Sequence, residues 1–365
     1  MEPDMSQIFL SLPNFAKKEG RHPNPAASAG QIFRALILIA VAIMAVAAVM
    51  RPQASQASES FHSFIQGLWP QAKARGVSRA TFDRAFVDVT PDDSVLAKTK
   101  KQAEFVRPLP AYLASAVSAN RIETGQARAR DWKTVLERAE REFGVDPYII
   151  LGVWGLETNY GKNPGDLSTI RCLATLAYAH YRGDYFRKEL LDALDILQQG
   201  HISAQAMQGS WAGAMGQTQF MPSAFKRYAI DFEGSGHKDI WHSVPTALGS
   251  TAYYLKRHGW IAGETWGYEV IAPGRGATAS GKPRSFADWA AQGYRRADGA
   301  RMPDRGEASL IAPAGPEGPH FLVTRNFKVI KSYNNSTAYA LGVALLGERI
   351  AGSPPLRAAW PVASR

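Results

Sequence analysis

The chain has 365 residues, 45% hydrophobic and 20% charged, so it is globular rather than disordered and long enough for a sizeable core. A formal charge of +10 at pH 7 admits nucleic acid, an anionic membrane surface or an acidic polymer as partner, but the Lys and Arg residues are scattered rather than clustered. The only cysteine, Cys172, excludes an intrachain disulfide, and its setting in RCLATLAYA reads as a small core residue.

Residues 1–57 read as an export signal or membrane anchor. Lys17, Lys18, Arg21 and Arg34 precede the charge-free run ALILIAVAIMAVAAVM, Ala35 to Met50. That run is short for a span of about 20 residues, and the helix breaker Pro52 follows. Ser55-Gln56-Ala57 then offers small residues for cleavage. A signal is favoured over an uncleaved inner-membrane anchor, with the bulk of the chain periplasmic in either case. Export removes nucleic acid as a partner and leaves a wall polymer or a membrane surface.

From Ser58 to about His258 the apolar period is helical. Asp146-Pro147 opens one helix, with Asp as N-cap and Pro at the first helical position. Phe186, Leu190, Leu194 and Leu197 mark another, closed by Gly200. Between about 262 and 329 the pattern changes. YEVIAP, ASLIAP and HFLVT are short β-type runs bounded by Pro and Gly, with a helical piece, SFADWAAQG, among them. Helix returns at Ser336, the N-cap of TAYALGVALLGERIAG. The fold class is therefore mainly α, of α+β type, with one domain over 58–352 containing a small β insertion. The Pro/Ala-rich residues 353–365 form a loose tail.

One carboxylate is out of place. In GVWGLETNYG, Glu157 lies on the same helical stripe as Ile150, Val153 and Trp154. Desolvation there favours the neutral form and suits the side chain to general acid work near neutral pH. A glutamate paired with a buried Arg or Lys fits the same spacing. Asp166, after KNPG, reads as a loop residue, and Asp184 as a helix cap. A second stretch, GSWAGAMGQTQFMPS, carries no charge; its small residues admit close approach of a bulky ligand. Ser210, Gln217 and Gln219 offer neutral hydrogen-bonding groups of the kind that hydroxyl and acetamido groups require. A tight Gly-rich turn between helices explains that stretch equally well.

These two stretches, together with EFVRPLPAYLASAVSANRIETG and NFKVIKSYNNSTAYALGVALLGERIAG, resemble in order the signatures of the lytic murein transglycosylase B family, over roughly residues 58–350. The resemblance implies a lysozyme-like helical core with an additional helical lobe and a small β-containing lobe. It implies cleavage of the β-1,4 bond between N-acetylmuramic acid and N-acetylglucosamine in peptidoglycan glycan strands, leaving 1,6-anhydromuramoyl ends. Glu157 matches the family's catalytic acid. Ser210, Gln219, Tyr254, Tyr333 and Asn334 match its substrate-binding positions. Cell-wall synthesis enzymes are further candidate partners. A non-catalytic peptidoglycan-binding scaffold and a hydrolytic muramidase are the competing readings; HExxH and GxSxG are both absent.

No cofactor is expected. Asp231 to His237, DFEGSGH, resembles the start of an EF-hand loop, where some family members hold calcium. The fifth loop position is Ser235 and the twelfth is His242, unsuited to a hard cation. A metal-free turn is the favoured reading.

Overall fold

In the computed structural model, residues 60–101, 107–274 and 280–361 are described. The expected export segment, residues 1–57, lies outside them, as does the end of the tail from 362. Two serines start the chain: Ser60 caps α1 (Phe61–Ala74) and Ser78 caps α2 (Arg79–Ala85), each accepting an N–H three residues on. α3 (Asp93–Lys101), α4 (Leu109–Ala116), α5 (Ala119–Asp131) and α6 (Lys133–Phe143) follow. α6 stops at Gly144, which takes the left-handed conformation at φ 71°.

The next helix, α7 (Pro147–Thr158), begins as the sequence predicts. Asp146 accepts the N–H of Tyr148, and Pro147 occupies the first helical position. It ends at Asn159, left-handed at φ 50° and two residues beyond Glu157. Ile149 to Gly155 are all buried, so α7 has no solvated face between its exposed first-turn residue Tyr148 and its last turn. It runs through the middle of the core, wrapped by neighbouring helices.

α8 (Thr169–Tyr178), α9 (Tyr185–Gln198), α10 (Pro222–Tyr228) and α11 (Val244–Arg257) build the opposite half of the helical core. A two-stranded ladder, β1 (Leu167–Ser168) with β2 (Gln208–Gly209), ties the start of the Gly-rich loop to the segment preceding α8. Phe186, Leu190 and Leu194 of α9 are buried, as their period predicts, and Cys172 is 1% exposed within α8.

The β insertion is present. β3 (Gly267–Ile271), β4 (Ser280–Ser285), β5 (Arg295–Arg296), β6 (Glu307–Ile311) and β7 (His320–Val323) form an antiparallel sheet in the order β4-β6-β7-β3-β5. β3, β6 and β7 are the three runs read from the sequence. β4 and β5 are not legible there, being SGKPRS and RR. α12 (Phe286–Ala291) buries Phe286 and Trp289 against Val270, Leu310 and Leu322, giving the sheet a small core of its own.

α13 (Arg325–Tyr333) and α14 (Thr337–Ile350) return to the main core. α14 lies against α7, and the approach is close. A Cβ built on Gly152 would stand 2.4 Å from the carbonyl oxygen of Val343, so only glycine permits this contact. Residues 353–361 lack regular structure, yet Leu356 and Trp360 pack on the core. The Glu269 carboxylate accepts the N–H groups of both Arg357 and Ala358, at 2.9 and 2.8 Å.

Candidate active site

Glu157 closes the last turn of α7 where that helix first meets an opening. Its carboxylate Oε1 accepts a hydrogen bond from the Tyr339 hydroxyl at 2.6 Å, and Tyr339 stands in the first turn of α14. Among the described residues no Lys, Arg or His forms an ion pair with Glu157. The alternative of a buried pair with a cation is thereby removed. Burial pushes the carboxyl from its ordinary 4.5 up to about 7, and the Tyr339 hydrogen bond opposes that rise. Desolvation wins. The side chain is only partly covered, however, and its free edge borders a cleft of about 360 Å³.

That cleft brings together Glu157, Gln219, Tyr254, Tyr333 and Asn334, five of the six site residues read from the sequence. The tyrosine rings are fixed by their hydroxyls. Tyr254 donates to the carbonyl of Ser332 at 2.6 Å and Tyr333 to that of Thr218 at 2.7 Å. Their centroids are 4.7 Å apart, and Phe220 lies within 6 Å of both, at 5.6 and 5.8 Å. Burial and the nearby Glu157 charge hold the Tyr333 and Tyr339 hydroxyls well above their usual pKa. Both are permanently neutral donors.

The Gly-rich loop reaches the cleft through an unusual backbone. Gln219 is left-handed at φ 52°, a costly conformation for a residue with a Cβ. Its amide nitrogen is spent on the carbonyls of Pro164 and Gly216, at 2.8 and 2.9 Å. The amide oxygen has no partner among the described residues. Gly209, earlier in the loop, is the close approach: an added Cβ would lie 2.0 Å from the Ala214 carbonyl oxygen.

Two polar residues of the Gly-rich loop are not among those lining the cleft. Ser210 does not line the cleft; its Oγ accepts the Ala214 N–H at 3.1 Å and braces the loop whose Ala214 does. Gln217 faces inward, accepting from Trp154 Nε1 at 3.0 Å and donating to the Trp241 carbonyl at 3.2 Å. It docks the loop on α7, with both its amide oxygen and its amide nitrogen engaged inside the protein. Asp166 and Asp184 do not reach the cleft, and Glu157 is the one carboxylate lining it among the described residues.

Sequence reasoning missed Tyr339 and Glu189. Tyr339 is hidden in an apolar helical run, although its place three residues after the Ser336 cap fixes its direction. Glu189 of α9 is 3% exposed and accepts both the N–H and the Oγ of Ser223, at 2.9 and 2.7 Å. Ser223 lines the cleft, so Glu189 anchors its wall from behind. No periodicity distinguishes such a glutamate from a solvated one.

The loop at Asp231 was tested as a cation site. Asp231 accepts N–H groups from Gly234, Ser235 and Gly236, the shape of a closed turn. Glu233 is engaged by the Ser243 hydroxyl, and His242 Nδ1 sits 3.1 Å from Asp239. Among the described residues no three His, Cys, Asp or Glu side chains gather to hold a metal. The donor set does not fit calcium, which needs six or more oxygens and a bidentate carboxylate here.

Residues 60–348 match the family model described as a transglycosylase SLT domain. The chain is 34% identical over 246 residues to the membrane-bound lytic murein transglycosylase B of Escherichia coli K12, a match spanning 66% of each protein. Among solved structures it is similar to SltB3 of Pseudomonas aeruginosa in complex with NAG-anhNAM-pentapeptide. That match has 43% identity and a TM-score of 0.81, and covers 84% of this chain and 83% of the other. Escherichia coli Slt35 in complex with calcium is 31% identical at a TM-score of 0.67, covering 80% and 92%.

Proposed function

Because the chain belongs to the transglycosylase SLT domain family, whose lysozyme-like, mainly α fold it shares, we propose that it is a lytic transglycosylase of peptidoglycan with Glu157 as its only acid and base. One observation carries the mechanism: a carboxyl with a raised pKa, no cationic partner and no second carboxylate beside it in the cleft. Hydrolytic glycosidases ordinarily need two carboxylates, one of which activates water or attacks the sugar. A single group suffices when the sugar supplies its own nucleophile.

The protonated Glu157 gives its proton to the glycosidic oxygen as the bond from the muramoyl C1 breaks. The C6 hydroxyl oxygen of the same sugar then attacks C1, and its proton passes to the Glu157 carboxylate. The acid is regenerated, a 1,6-anhydro ring forms, and no water is consumed. Tyr339 steadies the carboxylate in the interval when it is charged. The complex of SltB3 with an anhydro-muramoyl ligand supports this product. Tyr254 and Tyr333 offer apolar faces to the sugars, while the free Gln219 oxygen and Asn334 offer polar groups. Ser210 acts through the loop it braces, orienting the muramoyl acetamido group.

The export segment in residues 1–57 supports a periplasmic enzyme working on glycan strands, released or held at the inner membrane. Among the described residues no helix is long and apolar enough to cross a membrane. The deciding experiment digests purified peptidoglycan and weighs the products. Anhydro ends, one water lighter than hydrolysed muropeptides, are expected from the protein and absent with Glu157→Gln. Hydrolysed ends would make it a muramidase, and no products a binding scaffold.

A further inference from the structure

Away from the cleft, a cavity of about 320 Å³ opens between β3, the last turns of α14 and the tail. Its charged lining is mostly self-satisfied. Glu269 is taken up by the tail N–H groups of Arg357 and Ala358. Asp298 is paired with Arg296 and accepts the N–H of Ala300. Arg296 in turn lies over the Tyr268 ring, 4.4 Å from its centroid.

Two groups of opposite charge keep unused hydrogen-bonding capacity: Glu348, which feels the Arg296 charge, and Arg357, which feels that of Asp298. Glu348 accepts one hydrogen bond, from Trp266 Nε1 at 2.9 Å through Oε1, and its Oε2 has no partner among the described residues. The Arg357 guanidinium makes one long contact, 3.4 Å to the Asp298 carbonyl, and no ion pair among the described residues. Both line the cavity, yet they are not paired with each other. Burial pushes the Glu348 carboxyl up to about 7, opposed by the Trp266 hydrogen bond and the Arg296 charge and helped by Glu269 and Asp146, so a further donor at Oε2 would relieve a costly desolvation. A separated anion and cation facing one small cavity form a dipolar cradle.

We propose that this cavity binds a free α-amino acid, with its ammonium on Glu348 and its carboxylate on Arg357. The volume is ample for such a ligand. Charge-assisted hydrogen bonds at both ends discriminate against ligands carrying one charge only. The site is separate from the glycan cleft: Glu348 lies nine residues beyond Tyr339 on α14, about 14 Å along the helix axis.

The test is calorimetric titration of the full chain with glycine, L-alanine and D-alanine at pH 7. Saturable one-to-one binding is expected for at least one of them. Glu348→Gln and Arg357→Ala should each weaken it at least about tenfold. Arg357 is exposed, so its replacement leaves folding intact and keeps the test decisive if Glu348→Gln is unstable. Methylammonium and acetate, each with half the charge pattern, should bind at least about tenfold more weakly. Glu157→Gln should bind like the parent, which separates this site from the proposed catalytic one. Absence of saturable binding, equal binding by the half-ligands or by the Arg357 variant, or loss on Glu157→Gln would overturn the proposal.

Discussion

Replacing Glu157 by Gln should make the protein more stable, and only above acidic pH. In the folded state the carboxyl is raised from 4.5 to about 7, so between those values the native chain holds a proton that the unfolded chain has lost. Stability therefore falls as pH rises through this window and stays low above it. At 1.36 kcal/mol per unit, the penalty at pH 8 is at most about 3 kcal/mol, reduced by water reaching the free edge from the cleft. Glutamine carries no such penalty and its oxygen still accepts from Tyr339. Glu348 titrates in the same range but is common to both proteins and cancels in the difference. Urea unfolding at pH 4 and pH 8 measures it. The variant should match the parent at pH 4 and exceed it by one to about 3 kcal/mol at pH 8. A difference that is constant with pH, or larger on the acid side, would refute the desolvated-acid account.

Tyr339→Phe removes the one hydrogen bond that favours the charged carboxylate, so the Glu157 pKa should rise by about one unit or more. In a pH profile of anhydro product formation, the alkaline limb should move upward by that amount; an unmoved or lowered limb contradicts the role given to Tyr339. Gly209→Ala drives a methyl into the Ala214 carbonyl and should cost more than about 2 kcal/mol with loss of turnover, read by thermal melting and product assay. Trp154→Phe frees the Gln217 oxygen from its buried partner and should cost about 1–3 kcal/mol in urea unfolding, a neutral result refuting the docking contact. Adding calcium or a chelator should leave the melting temperature unchanged, because the Asp231 loop is closed by its own N–H groups and lacks the carboxylate in twelfth place.

Much of the helical scaffold was open to reading because its signals are local. Asp146-Pro147 and Ser336 are caps whose chemistry acts within one turn, and the strands β3, β6 and β7 carry β-branched or aromatic runs between Pro and Gly. β4 and β5 carry none, and they exist because the lobe supplies neighbours to pair with. α7 was legible as a buried helix, with Ile150, Val153 and Trp154 on the stripe that carries Glu157, but a helix enclosed by its neighbours has no polar stripe to announce its orientation. The site residues were reached largely through family resemblance, whereas Glu189 and Tyr339 owe their positions to contacts 34 and 182 residues away in the chain. Composition carries no sign of the contacts made by residues 353–361, since Glu269, which accepts two of their N–H groups, belongs to a distant strand.

The Gly152 contact has a bearing on how substrate enters. With the Val343 carbonyl seated against its backbone, α7 can neither slide nor roll without collision, so the acid at its end is a stationary fixture. In the proposed reaction the glycan strand must then adjust to the acid, and the Gly-rich wall, not the hydroxyl-anchored tyrosines, is the side with room to yield. The proposed catalytic geometry is thus insulated from traffic through the groove.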